Sequence, residues 1–405
     1  MSNTFKVIDM VTREALRILH EKSSFIATTD RQYDDSFKQN GKGKHGASLR
    51  VREPNQYLRR QGSRVMDVQD QAESDQTITV ATQDGVDMRF NSAELIQSVN
   101  SDSSFDDLSK NYIEPAMASL ISGIEADYIA YATKATYQLA GTAGTALTDL
   151  LVPGAARAKL NQQCAPKDGR RYVQIDSVTS GPLVNGLKGL FQDSTQIKEQ
   201  YREGMIGRTG MADWHENERI WVMPNSADVA GEINAGTLTS GITTITVDGF
   251  TAAPVAGMVF TIEGTYDVHP ETKQAYAHLK QFTVVSATTT SITFSPACIY
   301  DTTNPRQNCS GAPTDNDDIT FVGSASTNYP QHLMYHKEAF QFITADLPLM
   351  DDAHKCVRRT QDGVSLRVWM GSDIRNDELL LRLDILYGFA ALRPQWACRM
   401  IGAAG

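Results

Sequence analysis

The sequence predicts an α+β fold interrupted by an all-β module, and three observations carry that prediction. One strongly helical segment, residues 106–138, stands among strand-like runs. Near residue 235 the composition shifts to Thr, Ser, Gly and Val, with few helix formers until about residue 325. The chain then closes on two runs of period-2 alternation. With 405 residues, 41% of them hydrophobic, it can bury a sizeable core, and its length suits two or three domains of roughly 100–200 residues.

Mean hydropathy is −0.34, and no apolar run approaches the roughly 20 residues that span a bilayer. Met1 to Lys6 contains no apolar h-region, so no signal peptide is expected. The five cysteines (Cys164, Cys298, Cys309, Cys356, Cys398) are odd in number and widely spaced, which predicts free thiols and a soluble protein of a reducing compartment. Only Cys298 and Cys309 are near enough in sequence to bridge a loop.

In chain order, Ile8, Val11, Ala15 and Ile18 or Leu19 fall at helical spacing after Thr4 as N-cap, with Asp9, Arg13, Glu14 and Arg17 on the other side. The polar, glycine-dotted stretch 28–46 reads as an extended arm, which favours a partner because it makes few contacts of its own. Residues 48–90 are β-rich: Leu49 to Arg52 alternate before Pro54, and Thr77 to Ala81 alternate before a turn expected at Asp84-Gly85, giving a long projecting hairpin. Ile113, Met117, Leu120, Ile124, Tyr128, Tyr131 and Ala135 then mark one helix face, with Pro115 tolerated in the first turn.

Residues 150–223 mix short elements of an α/β body: a strand at 172–178, a helix at 181–193, a helical or turn segment at 196–203 and a strand at 219–223. In the β module, strands are expected at 243–247, 258–263, 282–285 and 291–294, the last two joined through 287–290. Alternation over Val364 to Met370 and Leu379 to Tyr387, turning at 372–377, predicts a long antiparallel hairpin with one buried face.

Charge is uneven. The formal net charge of −10 argues against a generic nucleic-acid binder. Residues 41–64 nevertheless hold seven cations (Lys42, Lys44, Arg50, Arg52, Arg59, Arg60, Arg64) against Glu53, a net of +6. Residues 65–107 hold ten carboxylates against Arg89, a net of −9. These blocks can pair within one hairpin or meet the opposite block of a neighbouring subunit.

The search for reactive chemistry finds none. His332 and His336 lack the glutamate of a zinc-protease helix, and Asp315, Asp317 and Asp318 lack the closing glutamate of a calcium loop. Gly204 to Gly210 has neither a P-loop lysine nor a GxGxxG order, and Trp214-His215-Glu216 reads as structural. Tyr57 alone interleaves the basic block, too little for a stacking platform. No enzyme, metal or cofactor is expected.

Three stretches resemble one family. Phe5-Lys6-Val7-Ile8-Asp9-Met10-Val11-Thr12-Arg13-Glu14-Ala15-Leu16 is similar to its N-terminal helix and Leu49-Arg50-Val51-Arg52-Glu53-Pro54 to its first long-loop strand. The run Leu386-Tyr387-Gly388-Phe389-Ala390-Ala391-Leu392-Arg393-Pro394 resembles its terminal Tyr-Gly-x-x-Ala-x-Arg-Pro pattern. The family is that of the major capsid (coat) proteins of tailed double-stranded DNA bacteriophages, with the Hong Kong 97-type fold, and within it the podovirus-type coat proteins that carry an inserted β-barrel domain.

The resemblance implies an N-terminal helix and arm (1–47), an extended E-loop hairpin (48–92) and a peripheral domain with a long spine helix (93–149). An axial domain (150–224 and 329–360) would be interrupted by the inserted β-barrel domain (225–328), and residues 361–405 would supply peripheral strands and the C-terminus. It implies self-assembly into pentamers and hexamers of an icosahedral head. A precursor would form on a scaffolding protein in the host bacterial cytoplasm and expand as double-stranded DNA enters through a portal protein. On that reading Arg50, Arg52, Arg59, Arg60 and Arg64 are the candidate intersubunit contacts, and Asp9 and Glu14 the candidate scaffold contacts. The rival readings are a bacterial encapsulin-type nanocompartment shell, a tail or decoration protein, and a carbohydrate hydrolase with an appended β domain.

Overall fold

The structure, a computed structural model, describes residues 12–15, 17, 23–31, 48–60, 62, 64–66, 68–69, 75–91, 112–186, 207–236, 238–350, 355–361 and 364–403. It is a mixed α+β, strand-rich chain that divides into two compact units. The first comprises residues 1–51, 75–128 and 340–390; the second comprises 52–74, 129–339 and 391–405.

The first unit is built on a five-stranded antiparallel sheet of β3 (Thr82–Asn91), β16 (Gln341–Ala345), β17 (Lys355–Gln361), β18 (Val364–Asp373) and β19 (Glu378–Ala390). The alternating C-terminal runs pair as the sequence predicts, Asp373 opposite Glu378. One expectation fails at the other edge. Asp84-Gly85 is not a turn: β3 runs straight through it and pairs with β19 from Asn91 to Thr82. Gly85 serves close approach, because a Cβ there would meet Leu383 O at 2.5 Å. Residues 82–91 therefore extend the sheet rather than a projecting hairpin.

Two features of the closing motif have local causes. Gly388 leaves room for the crossing chain, since a Cβ would lie 2.1 Å from Thr79 O. Tyr387 donates its hydroxyl to Asp84, and Phe389 stacks on Tyr128 with ring centroids 4.7 Å apart. Arg367 and Asp384, opposite each other in the sheet, form a buried ion pair at 2.6 Å.

The long helix, α2 (Glu114–Ala135), follows the short helix α1 (Phe25–Thr28), with Pro115 in its first turn. Its residues up to Tyr128 belong to the first unit. Ile113, Met117, Leu120, Ile124 and Tyr128 are buried as the spacing predicts, but Tyr131 is 39% exposed and Ala132 is buried instead. In the first unit Glu125, buried in α2, accepts a hydrogen bond from Phe25 N at 2.5 Å, and Phe25 packs on Tyr128 at 4.7 Å.

The second unit holds a mixed sheet in the order β4 (Leu139–Ala140), β20 (Ala397–Ile401), β15 (Asn328–His336), β5 (Arg171–Ile175), β7 (Ala212–Glu216), β6 (Arg208–Thr209), with β8 (Val222–Pro224) also on β15. Helices α3 (Leu151–Gln162) and α4 (Ser177–Gly186) supply Ala156, Leu160 and Leu183 to a core with Val173, Ile175, Met334 and Met400. The strand expected at 219–223 is shorter, since only Val222–Pro224 pairs.

The four strand runs expected from 243 to 294 coincide to within a residue with parts of β10 (Ile242–Asp248), β11 (Val259–Val268), β12 (Ala275–Ala287) and β13 (Ser291–Cys298). With β9 (Ala230–Ile233) and β14 (Asp318–Phe321) they form a closed barrel in the order β10-β13-β12-β11-β14-β9. Alternation turns Ile245, Val247, Ile262, Ile292 and Ile319 inward around Phe260, Phe282, Phe294 and Phe321, whose rings meet at 5.0 to 5.8 Å. Closure removes unpaired edges, which suits a Thr-rich chain with little helix propensity.

Both histidines singled out in the sequence are structural. His336 Nε2 lies 3.0 Å from Asp168 Oδ1 while its Nδ1 accepts from Glu338 N at 3.3 Å. His332 is 1% exposed, and burial pushes its pKa down to about 4 although Asp176 lies 3.8 Å away. The fold thus holds neutral imidazole, whereas the unfolded chain takes up a proton near pH 6.5. Stability therefore rises with pH between about 4 and 6.5 and falls on acidification through that window. Between pH 7 and pH 5 the expected loss from this residue is about 2 kcal/mol. Urea midpoints of wild type and His332→Phe at both pH values check it: an equal slope in the variant rules out His332 as the source.

Candidate assembly surface

The basic block occupies β1 (Ser48–Arg52) and the loop after it; β1 pairs with β2 (Asp75–Thr79) in a two-stranded sheet. Arg50, Arg52, Arg59, Arg60 and Arg64 are all exposed. They differ in what already holds them. Arg50 Nε lies 3.4 Å from Asp75 Oδ2 across the strand pair, a solvent-screened contact. Arg60 donates to Val65 O within the loop. Among the described residues, Arg59 and Arg64 have no ionic partner. The opposite-sign blocks thus pair in part within the chain, at Arg50 and Asp75, and among the described residues two guanidinium groups have no carboxylate partner.

The loop is shaped from within the second unit. The Gln69 carboxamide donates to Leu58 O at 2.7 Å and accepts from Leu58 N at 2.8 Å, standing in for a β-bridge where the chain has no regular pairing. Glu53 pairs with Arg306, from a barrel loop, at 2.9 Å. Beyond this clamp Val65, Met66 and Val68 are 75%, 81% and 78% exposed. These three apolar side chains lie close together in sequence, with only Asp67 between Met66 and Val68. Their signal in the sequence is a short apolar run inside a charged loop.

Asp9 lies outside the described residues. Glu14 is half-buried and pairs with Arg17 Nε at 3.0 Å on one short helical turn, so its charge is partly committed.

The barrel joins the body of the second unit through buried polar groups that the sequence reading did not single out. Arg399, fully buried on β20, donates to Thr136 O at 2.6 Å, Gly257 O at 2.6 Å, Lys134 O at 3.2 Å and Thr283 Oγ1 at 3.0 Å. Two of those acceptors are carbonyls at the C-terminal end of α2, where the helix dipole favours a cation. Lys280, also buried, sits 2.7 Å from Asp267, which accepts from Gln163 Nε2 at 3.0 Å. Burial opposes charge on Asp267, but the His278 and Lys280 contacts outweigh it and hold the carboxyl below its usual range. Arg393 of the closing motif pairs with Glu338 and stacks over Trp396 at 4.3 Å. These are structural contacts, and among the described residues no cluster of His, Cys, Asp or Glu forms a metal site.

Residues 222–402, from β8 through β20, match the family model described as P22 coat protein, gene protein 5. Over that stretch the chain is similar to the P22 coat protein family. The stretch includes the barrel, the sheet of the first unit from β16 onward and the closing motif. No curated protein matches the chain. Among solved structures, the capsid of Ralstonia phage GP4 is similar at 8% identity and a TM-score of 0.49, covering 94% of this chain and 88% of that one. A Mycobacterium phage Che8 structure is similar at 11% identity and a TM-score of 0.48, covering 93% and 90%. A virus-like particle from Pyrococcus furiosus is similar at 7% identity and a TM-score of 0.40, covering 97% and 98%.

Proposed function

We propose that the chain is the major capsid protein of a tailed double-stranded DNA bacteriophage, a subunit that self-assembles into the icosahedral head. The observation that carries this reading is the coat-family match over residues 222–402. It favours a phage head over the nanocompartment shell. An exposed loop with two arginines that have no ionic partner among the described residues, and with three exposed apolar residues, fits a subunit completed by its neighbours.

On this reading the mechanism involves no bond chemistry. Residues 48–79 act as the E-loop, reaching a neighbour's acidic surface through Arg59 and Arg64, with Arg50, Arg52 and Arg60 at its margins. Helix α2 is the spine helix of the peripheral domain, and the barrel is the inserted domain of the axial body. Many weak contacts per subunit let the shell correct errors as it grows. Assembly proceeds on a scaffolding protein, with Asp9 and Glu14 as candidate contacts, in the host cytoplasm, and a portal protein admits the DNA. The acidic subunit does not grip that DNA tightly.

Negative-stain microscopy of the purified protein, alone and co-expressed with the gene product encoded beside it, tests the reading. Closed shells are expected, and if they need the neighbour, that neighbour is the scaffold. Monodisperse monomers under both conditions would overturn the proposal.

A further inference from the structure

Arg306 stands on the barrel loop 299–309, which its own polar groups hold in shape. Asn304 N donates to Asp301 O at 3.1 Å and Gln307 N to Asn304 O at 3.0 Å, two successive turns. Arg306 N donates to Asn304 Oδ1 at 2.9 Å. The Lys273 ammonium donates to Pro305 O and to Gln307 O, so the chain on both sides of Arg306 is held from one point. Asn308 fastens the loop to the end of β13: its carboxamide accepts from Ile299 N at 2.9 Å and donates to Ala297 O at 2.8 Å. Ser240 Oγ accepts from Tyr300 N and Asp301 N at 3.1 and 3.2 Å. Just past the loop, Ser310 N donates to Tyr266 O of β11 at 3.0 Å.

A side chain on so fixed a backbone can impose its position on a partner. That partner is Glu53, whose Oε2 accepts from Arg306 Nη1 at 2.9 Å. Glu53 follows directly on β1 and precedes Pro54, so it opens the loop that carries Arg59 and Arg64. The two side chains are 31% and 30% exposed, so water screens the pair only in part.

We propose that Arg306 is a positioning residue for assembly, through which the barrel aims the contact loop before a neighbour is met. The role in assembly rests on the shell reading; the latch itself belongs to the single subunit. A loop free at its base would be ordered only on association, and that lost freedom would oppose binding in every copy. Held at Glu53, and again where Gln69 bridges to Leu58, the tip from Arg59 to Val68 is presented in one orientation. Arg306 acts through Glu53 rather than by meeting the neighbour itself.

The test is timed trypsin cleavage of the unassembled full-length subunit, read at Arg59, Arg60 and Arg64 by peptide mass. Cutting follows the population of opened loop, so Arg306→Glu should speed it about fivefold, near the most that a part-exposed ion pair holds. Arg306→Lys should stay near wild type, and Glu53→Arg combined with Arg306→Glu should return to it. An arginine at 53 precedes Pro54 and offers trypsin no ready bond. Cleavage at Arg171, 1% exposed, should stay slow throughout and reports global unfolding. Should Arg306→Glu be cut there too, Glu53→Gln, a milder break of the same pair, carries the comparison. Shell yield by negative stain should fall in Arg306→Glu and recover in the swap. An unchanged rate at the three arginines, or a raised rate that the swap does not restore, overturns the proposal. Faster cutting restored by the swap, with no shells even from wild type, would sink the shell reading and leave the latch standing.

Discussion

Arg59→Glu combined with Arg64→Glu is expected to abolish shell formation while leaving the subunit folded. Both side chains are exposed and have no ionic partner among the described residues, so reversal removes no contact of the subunit's own. Surface changes of that kind usually shift stability by less than about 0.5 kcal/mol. At an interface, by contrast, each reversal puts a carboxylate against a neighbour's acid, and like-charge juxtaposition costs several kcal/mol. The defect recurs in every copy. Arg60→Glu is a poorer probe because Arg60 also anchors Val65 O. Sedimentation velocity with a urea midpoint separates the effects: normal shells from the double variant would remove these arginines from assembly, and a lowered midpoint would mean they act within the fold. Raised salt should weaken wild-type assembly in the same direction.

Arg399→Met is expected to be the most damaging single change to the second unit. Burying a guanidinium is costly, and burial drives its pKa down to about 9, still charged at neutral pH. Four acceptors compensate, three of them main-chain carbonyls. Methionine fills much of the volume but leaves Thr136 O and Gly257 O without this donor, at about 1–3 kcal/mol for each that water cannot reach, while Thr283 Oγ1 still donates to Lys134 O. A loss of at least about 3 kcal/mol is expected. Arg399→Lys should recover part of it, since one ammonium keeps the charge but cannot span all four acceptors. Urea unfolding with the Trp221 signal, 6.0 Å from the guanidinium, reads this junction; a loss under 1 kcal/mol would show that water replaces the lost donor.

How much of this was legible beforehand depends on the range of the cause. The long helix was readable from Ile113 to Tyr128 because its face repeats within a turn. The terminal hairpin was readable because β18 and β19 alternate cleanly on either side of a short turn. Asp84-Gly85 misled because the same dipeptide serves a turn or a close strand approach, and only Leu383, some three hundred residues away in sequence, distinguishes them. The five arginines were visible as a charge block, yet which are already engaged depended on Asp75 and on Val65 O.

By itself the sequence determined the α+β class, the β-rich stretch after residue 235 and the unequal charge of the hairpin blocks, because periodicity, turn chemistry and charge are local properties. The tertiary structure alone decided that the Thr-rich strands close into a barrel and that Arg399 and Lys280 sit buried. Each of those outcomes turns on which distant groups meet, and the cost of burying a charge is offset only once its partners are in place.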